Sequence, residues 1–234
     1  MAAAFRIVKK EDLEAEEQKE PNHTLRCLTS EFGCLTRQDG SVSLSQGDTT
    51  AIAVTYGPAE VRMVRELIDR ATVELIYKPK VGMTSPADRK YETVLKNALD
   101  AAIMTSLHPR SSITVIIQET ENTGSYLACC INAACMALLD AAVSLKFLLA
   151  GVAVAVSQSG QLQLDPTLQQ EQEARANLTF VFESVDLKIV TVVTTGKFTH
   201  EEYKQGLELS RLAAVNVFTF FRESVSRKLL HLCK

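Results

Sequence analysis

Apolar positions along this chain change their spacing block by block. From Thr24 onward, short runs with a period near two, LRCLTSEFGCLTR, SVSLSQ and TTAIAVTYG, are separated by Gln38-Asp39-Gly40 and Gly47-Asp48. Asp-Gly and Gly-Asp between β-branched runs are hairpin signals, so the pattern predicts an antiparallel meander. Ile52, Val54 and Tyr56 alternate with small residues, which fits a strand covered on both faces. After Gly57-Pro58, AEVRMVRELIDRA leads into TVELIYKPK, a further strand. Ser85-Pro86 supplies an N-cap and a first-turn proline, and Val94, Leu95, Ala98, Ala102 and Thr105 trace one face of a helix ending at His108-Pro109. The first half reads meander, helix, strand, helix.

A β-branched strand, Ile113 to Gln118, then feeds Glu119 to Val143, in which the polar turn Glu121-Asn122-Thr123-Gly124 opens onto a run without charge until Asp140. Ala128, Ala133, Ala134 and Ala137 spread small side chains around the helix, so it is expected to pack on every side. Its N-terminus leaves backbone N–H groups unpaired, the makings of an anion site. The second half repeats the outline. Phe147 to Val156 and Leu162 to Leu164 flank Ser159-Gly160 as a hairpin, and Phe180 to Val185 and Leu187 to Val193 make two more strands. Thr199 with Glu202 forms a capping box for a last helix to about Leu232, with Leu212, Val215, Phe218 and Val225 facing the core. Strands and helices in blocks, twice over, define an α+β fold with two related lobes.

Composition narrows the function classes. The chain has 234 residues, 46% of them hydrophobic, and a net charge of −3, so no global basic field draws it to nucleic acid. Six cysteines, at 27, 34, 129, 130, 135 and 233, contain no CxxC pair, which argues against zinc and for a reducing compartment. The longest apolar run, Phe147 to Val156, is too short to cross a bilayer, and no signal-peptide pattern is present. Residues 1–23, rich in both charges, read as a mobile tail, with 24–234 as a single domain.

Taken in order, DGSVSLSQGDTTAIAVTYGPAEV, LHPRSSITVIIQ, TGSYLACCINAACMALLDAAV, LLAGVAVAV and LDPT resemble RNase PH, and most closely the RNase PH-like subunits of the eukaryotic RNA exosome ring. The resemblance implies a duplicated β-sheet and α-helix core, of the ribosomal protein S5 domain 2-like kind, with a long C-terminal helix. Active members cleave an RNA 3′ end with inorganic phosphate as nucleophile. Holding phosphate against an anionic diester needs helix N–H groups and arginine. A carboxylate-held divalent metal and an acid for the leaving 3′ oxygen complete the chemistry.

The family's Gly-Thr/Ser-Arg phosphate turn reads Gly124-Ser125-Tyr126 here. Its second phosphate arginine falls at Ala87, with Arg89 two residues on, and its two aspartates fall at Glu171 and Asn177. A phenol replaces the permanent cation, and a carboxamide has no proton to donate. The resemblance therefore implies a non-catalytic structural subunit, with no cofactor and no metal, supporting 3′-to-5′ processing and degradation of ribosomal, messenger and non-coding RNA. Implied partners are other RNase PH-like subunits in a hexameric ring and RNA-binding cap subunits, with single-stranded RNA a further candidate and no membrane. The implied location is nucleus and nucleolus, also cytoplasm.

Two other readings stand beside it. One is a weak phosphorolytic or metal-dependent hydrolytic nuclease using Glu171, Glu173 or Asp165, although Glu171 and Glu173 also read as solvated helix charges. The other is a nucleic-acid binding module: Arg62, Arg65, Lys78, Lys80 and Arg89 are candidates to follow an RNA backbone. Glu60, Glu66, Asp69, Glu74 and Asp88 are interspersed among them, which equally describes a solvated mixed-charge face. Arg110 is either an interface ion pair or an RNA contact.

Overall fold

The computed structural model describes residues 24–61 and 63–232; the expected tail and Arg62 lie outside the described residues. Strands β1 (Leu28–Phe32), β2 (Gly40–Gln46) and β3 (Thr49–Glu60) form the expected meander, with Leu28 opposite Gln46 and Phe32 opposite Val42. Beyond β3 lie β5 (Ser111–Glu121) and β4 (Thr72–Lys78), giving the order β1-β2-β3-β5-β4, in which only the β4–β5 pairing is parallel. A second, antiparallel sheet runs β7-β6-β8-β9, from β6 (Leu149–Val156), β7 (Leu162–Leu164), β8 (Ala176–Glu183) and β9 (Ile189–Gly196). The helices are α1 (Pro86–Ala102), α2 (Tyr126–Asp140), α3 (Leu168–Glu173) and α4 (His200–Leu232).

Helix α2 packs on β2 and β3 from one side and on β6 and β8 from the other, and every residue from Tyr126 to Leu138 is buried. Small residues make that double contact possible. A Cβ added to Gly40 would sit 2.4 Å from the Ala137 carbonyl oxygen, and one on Gly151 would sit 3.0 Å from that of Ala128. Gly40→Ala is therefore expected to cost about 1–3 kcal/mol, read as a lower denaturant midpoint at unchanged m-value. A buried polar pair sets the depth of packing: the Asn132 amide donates to the Gly151 carbonyl at 3.1 Å, and Gly151 N–H donates back to Asn132 Oδ1 at 2.8 Å. Burial pushes the Cys129 and Cys135 thiols up to about 12, so both remain protonated packing groups.

On β3 and α4 the structure departs from expectation, and there small residues are again the reason. On β3 the buried face is Ala51, Ala53 and Thr55, whereas Ile52 and Tyr56 are only half-buried, so the strand is not covered equally on both faces. On α4, Leu212 and Val215 are exposed and Val225 is partly so; Gly206, Ser210, Ala213, Ala214, Val217, Phe218 and Phe221 form the buried stripe. Glycine, serine and alanine let the helix approach the sheet closely, and that approach decides which face is inward. Between β3 and β4 the described residues form no α-helix; β3 continues past a bulge at Gly57-Pro58, and Met63–Arg65 makes one 3-10 turn. Helix α1 has its Ser85–Asp88 capping box but ends at Ala102, followed by a 3-10 turn at Thr105–Leu107. The Thr199–Glu202 capping box on α4 is present.

Candidate functional site

Strand β5 delivers the chain to the mouth of α2 through a sharp turn. Gly124 has φ +116°, and a Cβ there would lie 2.4 Å from the Pro166 carbonyl oxygen. Ser125, the N-cap, is left-handed at φ +54°, a conformation short polar side chains tolerate. Its hydroxyl donates to the Pro166 carbonyl at 3.1 Å rather than capping the helix. Its N–H, the group expected to meet an external anion, donates to Glu171 Oε1 at 2.7 Å. The anion at this helix mouth is a carboxylate of the chain itself.

Glu171 rides on α3, and Asn177, at the start of β8, holds α3 in place by donating to the Glu171 carbonyl at 3.0 Å. Asn177 Oδ1 is buried and, among the described residues, has no hydrogen-bond partner. Burial pushes the Glu171 carboxyl up, as does the charge of Asp165, while the Ser125 N–H and Arg26 act against this.

Tyr126 is 7% exposed and stands edge-on to Tyr77, ring centroids 6.0 Å apart, with Tyr77 in turn against Tyr91. Tyr77 donates to Glu119 Oε2 at 2.9 Å. The Tyr126 hydroxyl, close to Tyr77 and Cys130, makes no hydrogen bond of good geometry, and burial raises its pKa far above the ordinary phenol value. Tyr126 is therefore a neutral part of the core.

A cavity of about 140 Å³ opens here, lined by Tyr91, Asn122, Ser125, Tyr126, Leu127, Glu171, Asn177, Thr179, Val193 and Thr195. No Lys, Arg or His is among these residues, and Glu171 is the only ionisable carboxylate. The lobes thus bring together four of the five expected positions, Ser125, Tyr126, Glu171 and Asn177, around one space, with Gly124 forming the turn behind it. Arg89 is exposed on α1 and does not line the cavity; Tyr91, two residues on, does. Glu173 is exposed outside it. Asp165 does not line the cavity either. Its carboxylate, with no side-chain exposure, accepts from Arg26 N–H at 3.0 Å, Nε at 2.9 Å and Nη2 at 2.7 Å. Arg26 also donates to the Gly124 carbonyl at 3.1 Å, bracing the turn from behind.

Arg65 pairs with Glu74 at 2.8 Å, whereas Lys78, Lys80 and Arg89 are exposed between the far end of β4 and the first turn of α1. Arg110, its side chain 67% exposed, pairs with Glu66 of the same chain at 3.4 Å. Arg26 and Tyr91 were not singled out from the sequence. Arg26 lies 139 residues from its partner, and nothing local marks the pairing.

Fold and turn together define the class, and comparison with known proteins agrees. Residues 24–144 match domain 1 and residues 148–212 match domain 2 of the 3′ exoribonuclease (RNase PH) family, to which the chain belongs. It is 32% identical over 230 residues to the Arabidopsis thaliana "Exosome complex exonuclease RRP46 homolog", covering 91% of this chain and 96% of that one. It is also 32% identical over 217 residues to the Archaeoglobus fulgidus "Exosome complex component Rrp41", covering 87% and 83%. The crystal structure of rice (Oryza sativa) Rrp46 superposes with a TM-score of 0.84 at 30% identity, covering 90% of this chain and 99% of that one. An archaeal exosome core chain gives 0.75 at 15% identity, covering 91% and 94%, a likeness of fold alone.

Proposed function

We propose that this chain is a non-catalytic, structural subunit of an RNA exosome ring, assembled with other RNase PH-like subunits and working in 3′-to-5′ RNA processing and degradation in nucleus, nucleolus and cytoplasm. The observation that carries the inert half of this reading is the helix mouth at Gly124-Ser125-Tyr126. Among the described residues no cation lines the cavity, and the Glu171 carboxylate holds the N–H a phosphate would use. Bringing phosphate beside that carboxylate adds like-charge repulsion where attraction is required. The Asn177 amide supplies no acid for the leaving oxygen. Likeness to RRP46 and Rrp41 proteins supports the ring half. Lys78, Lys80 and Arg89 remain as exposed cations able to touch a passing RNA backbone, a contact weakened by salt.

Incubated with magnesium, phosphate and end-labelled single-stranded RNA, the purified chain is expected to release no nucleoside diphosphates. Release that a Ser125→Ala, Glu171→Ala double variant abolishes would sink the inert reading, and monophosphates formed without phosphate would favour a hydrolytic nuclease instead. Tagged in cells, the chain is expected to purify in fixed stoichiometry with other RNase PH-like subunits; recovery without them would reject the ring assignment.

A further inference from the structure

At the opposite end of α2, roughly 20 Å from the family turn by helix length, lies a groove that the proposed function does not use. Edge strand β1 turns Leu28, Ser30 and Phe32 inward and Thr29 and Glu31 outward. Its inward face meets the last turns of α4 across about 360 Å³ of space lined by Ser30, Phe32, Ser224, Arg227 and Lys228. Lys228 is steered from behind: its ammonium pairs with Asp140, a carboxylate 5% exposed, and lies 5.4 Å above the Phe32 ring. The Arg227 guanidinium is 68% exposed and, among the described residues, pairs with Glu223 alone, at 3.9 Å. That long, exposed contact contributes little and leaves its donors free.

Ser224 supplies the independent sign. It is 5% exposed, yet among the described residues its hydroxyl has no hydrogen-bond partner. Hydroxyls within a helix ordinarily return to the carbonyl four residues back. On this same helix Ser210 does so to Gly206 at 2.6 Å and Thr219 to Val215 at 2.9 Å. A buried hydroxyl left unpaired destabilises the fold. A groove wall holding one, in the same lining as two cations and a second hydroxyl, is incomplete without an acceptor.

We propose that this groove binds a tetrahedral phosphoryl oxyanion, as free phosphate or as the phosphate of a mononucleotide. Arg227 and Lys228 supply the charge, and the Ser224 and Ser30 hydroxyls donate to the remaining oxygens. A guanidinium fork, an ammonium and two hydroxyls approaching from different elements match four oxygens in three dimensions, whereas a planar carboxylate uses only two.

The test is an amide chemical-shift titration of the full chain at constant ionic strength with inorganic phosphate, adenosine 5′-monophosphate and acetate. Phosphate is expected to move Ser30, Phe32, Ser224 and Arg227 saturably, and acetate is not. Arg227→Ala, an exposed position whose replacement leaves the fold intact, is expected to weaken binding about tenfold. Ser224→Ala weakens it less, and Lys96→Ala, on α1, leaves it unchanged. Tighter binding of the mononucleotide identifies a nucleotide phosphate as ligand; equal or weaker binding identifies the free ion. No saturable shift at these four residues, an Arg227→Ala chain that binds like the parent, or acetate matching phosphate would overturn the proposal. None of these results bears on the Gly124 turn.

Discussion

Replacing Asp165 by alanine is expected to lower the unfolding free energy by about 3–5 kcal/mol, a large share of what holds a domain of this size together. The carboxylate has no side-chain exposure and accepts three hydrogen bonds from Arg26, whose side chain is 19% exposed. Alanine leaves that guanidinium buried with only the Gly124 carbonyl and, at the limit of hydrogen-bond distance, the Thr49 and Thr123 hydroxyls. Asp165 is also left-handed, at φ +53°, which aspartate tolerates better than alanine. Arg26→Met with Asp165→Leu is expected to lose less than Asp165→Ala alone, because no charge is then stranded. Guanidinium unfolding of the three chains checks this ordering. A loss below about 1 kcal/mol in Asp165→Ala would show that the pair is not what joins the start of β1 to the second lobe.

Acid should unfold the protein partly through the same group. Burial alone would push the Asp165 carboxyl up, but the hydrogen bonds and charge of Arg26 outweigh it and hold the group below its ordinary value. The unfolded chain then takes up the proton at higher pH than the folded chain. The contribution is complete above the ordinary aspartate value near 4 and lost as pH falls through the folded one. Glu171 has the opposite sign: burial, then the charge of Asp165, raise it. Its ionised form is a liability to the folded state that lessens as pH falls through its raised value towards the ordinary one. Stability is therefore expected to hold on mild acidification and fall once Asp165 protonates, and Asp165→Ala is expected to flatten that fall.

Much of this fold can be read from local pattern. Asp-Gly and Gly-Asp place the meander, Ser85 and Thr199 place two helix starts, and the uncharged run from Tyr126 to Leu138 announces a helix buried on every side. What pattern misjudges is orientation where close approach outweighs hydrophobicity. Leu212 and Val215 are larger apolar groups than their neighbours Gly206, Ser210, Ala213 and Ala214, yet the small residues face the sheet together with Phe218 and Phe221, because a helix lined with small residues sits nearer and buries more around it. β3 repeats this with Ala51 and Ala53 against Ile52.

The site divides along the same line. Gly124, Ser125 and Tyr126 adjoin one another, and Glu171 and Asn177 follow LDPT at short range, so alignment to a known motif finds them. That Glu171 turns inward onto the Ser125 N–H, and that Arg26 reaches Asp165 and Gly124, depends on how two lobes meet, which no local pattern encodes.

If the helix mouth lost its charges and kept its scaffold, returning charge should return binding before it returns chemistry. The double variant Tyr126→Arg, Glu171→Ala is expected to gain phosphate affinity by about 10²-fold, the sum of one charge-assisted bond regained and one backbone N–H released. Tyr126→Arg alone should gain much less, because Glu171 lines the same cavity and would pair with the new guanidinium while still holding the Ser125 N–H. Glu171→Ala alone frees the N–H without supplying a cation. An arginine at a position 7% exposed must replace the Tyr77 contact, so thermal melts are needed beside calorimetric phosphate titrations to confirm that each chain is folded. Phosphorolysis of RNA should stay absent even in the double variant: Asn177 still offers an amide where an acid is needed, and its Nδ2 remains committed to the Glu171-position carbonyl. Binding without turnover is the expected signature. A folded double variant that ignores phosphate would mean that the turn at Gly124 has lost its anion geometry and not merely its charge.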